Sequence, residues 1–205
     1  MDIATVDALL TTTRAVRKRL DFTRNVEPEI IERCLEIAVQ VPTGGNVARY
    51  HFIVITEKET REQLAAIFRR AYFEQWVPGV KEASRNIRPQ DMASFDYLAE
   101  HIHEAPVLII PCVERPRMGG LSETGSELAS IYPATWSLIL ALRSRGIGTT
   151  LTTIHALYEQ EAAEILGIPV TIRQAALLPV AYFKGAGFKP ANRIPAKERT
   201  YWDSW

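Results

Sequence analysis

The chain is 205 residues long, 47% hydrophobic and 23% charged, and its 24 basic and 24 acidic side chains cancel to a formal net charge of +0. That length holds one domain, spanning residues 1–205, with a sizeable core. The charge balance argues against a general nucleic-acid or membrane-surface binder, though it leaves room for a local basic pocket. The two cysteines, Cys34 and Cys112, lie in apolar surroundings without a CxxC, which predicts buried thiols in a reducing compartment. Met1–Thr5 has neither the basic start nor the apolar core of a signal peptide. The longest apolar stretch, Ile131 to Leu142, is too short to span a bilayer, so the expected location is cytoplasmic.

In chain order, residues 2–12 predict a short helix with Asp2 or Thr5 as candidate caps. The segment Thr13-Arg14-Ala15-Val16-Arg17-Lys18-Arg19-Leu20 is half basic, yet burying Val16 and Leu20 would hold some of its arginines against the body of the protein. Glu27-Pro28 opens a second helix, proline being tolerated in a first turn. Ile30, Ile31, Cys34, Leu35 and Ala38 then form one apolar stripe. Pro42-Thr43-Gly44-Gly45-Asn46 reads as a tight helix-to-strand connection, because Pro42 stops the helix and the glycines leave peptide N–H groups uncovered. Residues 51–56 predict a strand, and Thr56 a cap for a helix over about 57–75 that buries Leu64, Ile67, Phe68, Ala71 and Tyr72. Residues 76–94 read as an irregular loop or lid, with a helix resuming near Asp91.

Pro106–Val113 predicts a fully buried strand and residues 114–122 a turn-rich loop. The segment 124–145 is a helix apolar on nearly every side, which belongs in a core or a subunit interface. Thr149–Thr153 reads as a polar, β-branched strand, 157–166 as a helix, and Gln174–Ala181 as a last strand. The tail from Phe183 ends in Tyr201-Trp202-Asp203-Ser204-Trp205, whose exposed apolar surface calls for a cover, a second subunit being the natural one. The intermingled helices and strands make an α+β domain with a central sheet flanked by helices.

The common catalytic signatures fail. GxGxxG and the Walker loop are absent, Gly120-Leu121-Ser122-Glu123-Thr124 misses the last position of a nucleophile elbow, and His101 and His103 lack the spacing of a metal site. What remains is a cationic set, Arg14, Arg17 and Arg193, with a glycine-rich loop and a threonine-rich strand. Arginines can chelate phosphate oxygens, and a site without an acid, base or nucleophile suits a cofactor that brings its own reactivity. Flavin mononucleotide (FMN) fits that description.

The chain also resembles the FMN-dependent nitroreductases along nearly its whole length. Thr13-Arg14-Ala15-Val16-Arg17 is similar to that family's R-R-S-x-R signature. The helix entering Pro42–Asn46 is similar to its A-P-[ST]-x-x-N-x-Q-P-W segment, and Tyr132 to Gly148 to its central helix and G-x-G turn. Pro179-Val180-Ala181-Tyr182 and Arg193-Ile194-Pro195 resemble its P-[VI]-G-Y … R-x-P ending.

The resemblance implies a mixed or antiparallel sheet in an intertwined homodimer, with FMN at the subunit interface and NADH or NADPH as reductant. It implies that Arg14 and Arg193, beside Thr13 and Ala15, bind the phosphate, and that Arg17 sits at the pyrimidine edge of the ring. Pro42, Thr43, Gly44 and Asn46 would contact the ring from the partner, and Leu151, Thr152 and Thr153 would lie by N5. The reaction would be ping-pong hydride transfer to a nitro, quinone or other small acceptor, with no catalytic side chain and no metal.

The chain departs from the family pattern at Thr13 for its first arginine, Ala15 for its serine and Ala48-Arg49-Tyr50 for Gln-Pro-Trp. These departures bear on ring orientation and substrate class. Alternatives are a flavin-binding or flavin-sensing protein with little turnover, another flavin chemistry on the same fold (enone reduction, dehalogenation, flavin fragmentation), or a flavin-free interaction module.

Overall fold

A computed structural model describes residues 2–83, 87–115 and 126–205. In chain order its elements are α1 (Ile3–Thr12), β1 (Leu20–Asp21), α2 (Pro28–Ala38), β2 (Tyr50–Ile55), α3 (Lys58–Arg70), α4 (Val77–Glu82), α5 (Pro89–His101), β3 (Val107–Glu114), α6 (Ser126–Arg143), β4 (Ile147–Thr149), α7 (Glu159–Leu166), β5 (Ile172–Gln174) and β6 (Leu178–Phe183). A π-helical turn, Ala71–Trp76, joins α3 to α4. The strands form one six-stranded sheet with the order β1-β6-β3-β2; β4 pairs with β6 and β5 with β3. Every described pairing is antiparallel.

β3 is buried along its length as far as Val113, which is why it reads as an uninterrupted apolar run. Its side chains alternate between two cores, as strand geometry requires. Leu108, Ile110 and Cys112 meet α3, α5 and α7 through Phe68, Leu98 and Ala162. Val107 and Ile109 meet α2 and α6 through Cys34, Leu138 and Leu142. Both cysteines are free and buried, and burial raises both thiols, Cys112 to about 12, so they act as small apolar groups. Asp2 caps α1 by accepting from the Ala4 and Thr5 N–H groups.

Several sequence-based expectations are corrected. The described part of the stretch 76–94 is mostly helical, residues 84–86 lying outside the described residues: Pro78 and Pro89 occupy first turns of α4 and α5, where a missing N–H costs nothing. α3 is capped at Glu57 rather than Thr56, with no side-chain cap bond. The expected Thr149–Thr153 strand ends at Thr149, and the expected Gln174–Ala181 strand is two strands, β5 and β6. β5 and the start of β6 pair with β3, and the chain between them bridges Thr152 at Leu177. The expected loop 114–122 lies outside the described residues beyond Arg115. No helix among the described residues is long and apolar enough to cross a membrane.

Candidate functional site

The arginine-bearing N-terminal segment docks on the outer edge of β4, where the Val16 N–H donates to the Thr149 carbonyl at 2.9 Å. Val16 and Leu20 are buried there with Ala181, as their apolar side chains demand. Past Thr149 the chain leaves the ladder and, among the described residues, bridges the sheet again at Thr152, which exchanges N–H···O bonds of 3.1 and 2.8 Å with Leu177 just before β6. Residues flanking such a hydrogen-bonded pair turn their own N–H groups away from the partner strand. The Leu151 and Thr153 N–H groups therefore face the edge on which Val16 docks, and neither meets an acceptor among the described residues.

The candidate residues fall into three places. Arg17, Leu151, Thr152 and Thr153 come together in one cavity of about 210 Å³. Thr13 is buried, Ala15 is exposed, and Arg14 is half-buried. The Arg14 guanidinium caps the end of α1 by donating to the Thr11 and Thr13 carbonyls, each at 2.6 Å. The Pro42–Asn46 loop lies elsewhere, on α6, where the Gly44 N–H reaches Ser130 Oγ at 3.4 Å. Gly45 and Asn46 both have positive φ, 63° and 57°, which explains a Gly-Asn pair at this turn. Pro42, Gly44 and Asn46 are exposed and Thr43 is half-buried. Arg193 lies on the exposed C-terminal tail, and its side chain has no partner among the described residues.

The root of that tail is clasped by two arginines. Arg19 donates to the Lys184 carbonyl at 2.7 Å and to that of Ala186, and its guanidinium lies 4.2 Å from the Phe188 ring centre. Arg143 lies 5.0 Å from the Phe183 ring centre. Phe183 and Phe188 in turn pack on Val16 and Leu20. The two ends of the chain are thus joined at one cluster beside β4.

The cavity has walls that sequence reasoning missed: Phe68, Tyr72, Trp76, Phe95, Leu98 and Ile154. In the sequence Phe68 and Tyr72 read only as core, and Trp76 lies in the stretch that reads as loop. The Tyr72 and Trp76 rings stack at 5.2 Å, and Trp76 meets Phe95 edge-on at 5.5 Å. The Tyr72 hydroxyl donates to Asp96 at 2.7 Å; burial, then that bond, push its pKa up. The Arg17 guanidinium sits 4.5 Å from the Phe95 ring centre, and burial lowers its pKa, although a guanidinium stays charged.

His155, two residues past Thr153, is 2% exposed, with no hydrogen-bond partner for either ring nitrogen among the described residues. Burial pushes its imidazole down to about 4, so it is neutral near pH 7. The Thr149 and Thr150 hydroxyls are also buried without partners among the described residues.

The sequence model of the nitroreductase family matches residues 10–182. The chain belongs to the nitroreductase family. It is 24% identical over 178 residues to a putative NADH dehydrogenase/NAD(P)H nitroreductase of Archaeoglobus fulgidus, covering 86% of this chain and 84% of that protein. It is 23% identical over 171 residues to an iodotyrosine deiodinase of Thermotoga neapolitana, covering 82% and 84%. Among solved structures it shares the fold of the FMN-dependent nitroreductase from Mycobacterium smegmatis in complex with NADPH, with a TM-score of 0.74 at 16% identity over 99% of this chain and 100% of that one. The nitroreductase fold expected from the sequence is therefore the one observed, helices around an open antiparallel sheet.

Proposed function

We propose that this nitroreductase-family protein is an FMN-dependent NAD(P)H oxidoreductase that works as a homodimer with FMN between the subunits. The observation that carries the reading is the Arg17 guanidinium sharing one cavity with Leu151 and Thr153, whose peptide N–H groups meet no acceptor among the described residues. Cationic donors next to an open backbone edge are what an anionic, acceptor-rich flavin needs.

When bound, FMN would supply the redox chemistry, a two-electron exchange between NADH or NADPH and a small acceptor. The protein binds and orients. Arg14 and Arg193 hold the phosphate, with the Thr13 and Ala15 backbone alongside. Arg17 stands at the pyrimidine edge, where its charge favours the electron-rich reduced ring. The Leu151 and Thr153 N–H groups serve N5, and Pro42, Thr43, Gly44 and Asn46 reach the ring from the partner subunit.

A second subunit also answers the apolar surface left open on one chain. α1 buries no residue, Trp136 of α6 is 45% exposed, and Trp202 and Trp205 are 85% and 97% exposed. Together these surfaces are too apolar to face water comfortably.

The test begins with colour. The purified protein should absorb near about 450 nm from bound flavin. Anaerobic addition of NADH or NADPH should bleach it, and a quinone or nitroaromatic should restore the colour. A colourless protein that takes up no added FMN would overturn the proposal. A yellow one that neither reductant bleaches would leave it a flavin binder.

A further inference from the structure

The root of the C-terminal tail carries a cation that the fold leaves unspent. Arg143, in the last turn of α6, is half-buried, with its guanidinium 5.0 and 5.4 Å from the Phe183 and Phe188 ring centres. Such ring contacts attract the charge but leave the N–H donors of the guanidinium in need of acceptors. Arg143 makes no hydrogen bond or ion pair among the described residues, and its Nε is buried without a partner there. A buried donor of this kind costs stability until an acceptor arrives.

A second guanidinium stands on the same pair of rings. Arg19 lies 5.5 and 4.2 Å from the Phe183 and Phe188 ring centres, and it donates to the Lys184 and Ala186 carbonyls. Gly185-Ala186-Gly187 runs past both arginines. A β-carbon at 185 would stand 3.3 Å from Arg19 Nη2, and one at 187 would stand 3.6 Å from Arg143 Nη2. The glycines thus bring bare backbone up to both guanidinium groups, and Gly185 turns the chain with a φ of 82°. The peptide N–H groups of Gly185, Ala186, Gly187 and Phe188 meet no acceptor among the described residues, and the three loop residues are exposed.

The surrounding charge is positive. Lys184 is paired with Asp21 at 3.2 Å, and that carboxylate also accepts the Thr23 hydroxyl, so it does not answer Arg143. Lys189 follows on the same loop. Like charges gathered on one ring pair repel each other, and an anion relieves that repulsion. Guanidinium groups beside open peptide N–H groups in a glycine-rich turn suit a tetrahedral dianion, whose oxygens accept from several directions at once. A carboxylate would fill only one fork of such a set.

We propose that Arg143, Arg19 and the turn at residues 185–187 form a binding site for a phosphate group, separate from the Arg14 and Arg193 pair assigned to the flavin phosphate. The assignment does not depend on flavin. Free phosphate and the phosphate monoester of a nucleotide offer the same chemistry, and the test separates them.

The test is calorimetric titration of the protein as isolated, with flavin content read from the visible absorbance of the same samples. Inorganic phosphate should bind saturably at millimolar concentration, at least about tenfold tighter than acetate. Arg143→Gln should weaken phosphate by at least about tenfold and leave the flavin content unchanged, whereas Arg193→Ala should leave Arg143-dependent phosphate binding in place. If Arg143→Gln does not fold by circular dichroism, Arg143→Lys, which keeps the charge and loses the fork, is read in its place, with a loss in the same direction. A second arm compares NADP⁺ with NAD⁺. A preference for NADP⁺ that Arg143→Gln erases makes the nucleotide the source of the phosphate, and equal binding of the two beside intact phosphate binding makes it free phosphate.

Phosphate that does not bind at millimolar concentration, that binds no tighter than acetate, or that binds wild type and Arg143→Gln alike would overturn the proposal. Binding lost in Arg193→Ala and kept in Arg143→Gln would overturn it too and return the anion to the tail arginine. A colourless protein that keeps Arg143-dependent binding would sink the flavin reading and leave this site standing.

Discussion

Gly148 lies so close beneath Val16 that a β-carbon at position 148 would stand 3.1 Å from both Val16 Cβ and Cγ2, and 3.2 Å from Leu20 Cδ2. Val16 cannot retreat easily, because its own N–H is tied to the Thr149 carbonyl at 2.9 Å. The glycine is therefore what lets the arginine segment lie against β4.

Gly148→Ala tests this directly. The added methyl should cost about 1–3 kcal/mol, the usual range for overpacking, and should lower FMN occupancy by displacing Arg14 and Arg17 together. Chemical denaturation and flavin content measured on one preparation check both effects. Wild-type stability with full flavin would mean that the segment shifts freely and that the close approach has no role.

Arg193→Ala separates binding from folding. The side chain has no partner among the described residues, so its loss should leave the thermal midpoint of the apoprotein unchanged. FMN should bind about ten- to hundredfold more weakly, the value of one charge-assisted contact. Fluorescence titration with FMN gives the number, and an unchanged affinity would remove Arg193 from the phosphate site.

His155 predicts a pH dependence of stability. Its imidazole is held near 4 in the folded chain against an ordinary 6.5, so between these values the unfolded chain binds a proton that the folded one refuses. Stability from this group is complete above about pH 6.5, falls as the pH drops through the window, and falls no further below about 4. His155→Phe keeps a ring in the space and removes the titration. Between pH 7 and 4.5 the wild type should lose about 2 kcal/mol more than the variant in urea denaturation. Equal losses would show that the buried imidazole has a proton acceptor or water within reach.

The aromatic tail predicts assembly. Tyr201 and Trp205 stack on each other at 4.5 Å, while Trp202 and Trp205 remain almost fully exposed on the single chain. Sedimentation should find a dimer, and replacing Trp202 and Trp205 together by alanine should weaken it by at least about tenfold. A wild-type monomer at micromolar concentration would refute the interface.

Much of the fold was legible because its signals are local. The stripe on α2, the buried face Leu64, Ile67, Phe68, Ala71 and Tyr72, and the unbroken apolar run of β3 each report burial through spacing alone. The basic segment with Val16 and Leu20 turned inward was equally readable, since apolar side chains among arginines can be satisfied in few ways. The errors fell where neighbours in space override the local pattern. Pro78 and Pro89 look like breakers in sequence but start helices, and the threonine-rich stretch after Thr149 has strand propensity but only one bridge to hold.

Sequence alone, then, determined the family, the cationic residues available and the places where the backbone must turn, because residue type and spacing encode those directly. Tertiary structure alone decided which of them meet. Arg17 shares a cavity with Leu151, Thr152 and Thr153, more than a hundred residues along the chain, because the Val16–Thr149 hydrogen bond and the missing side chain of Gly148 bring the two segments edge to edge. The stacked Tyr72–Trp76 wall arises from a π-helical turn, a change of hydrogen-bond register that apolar spacing does not record.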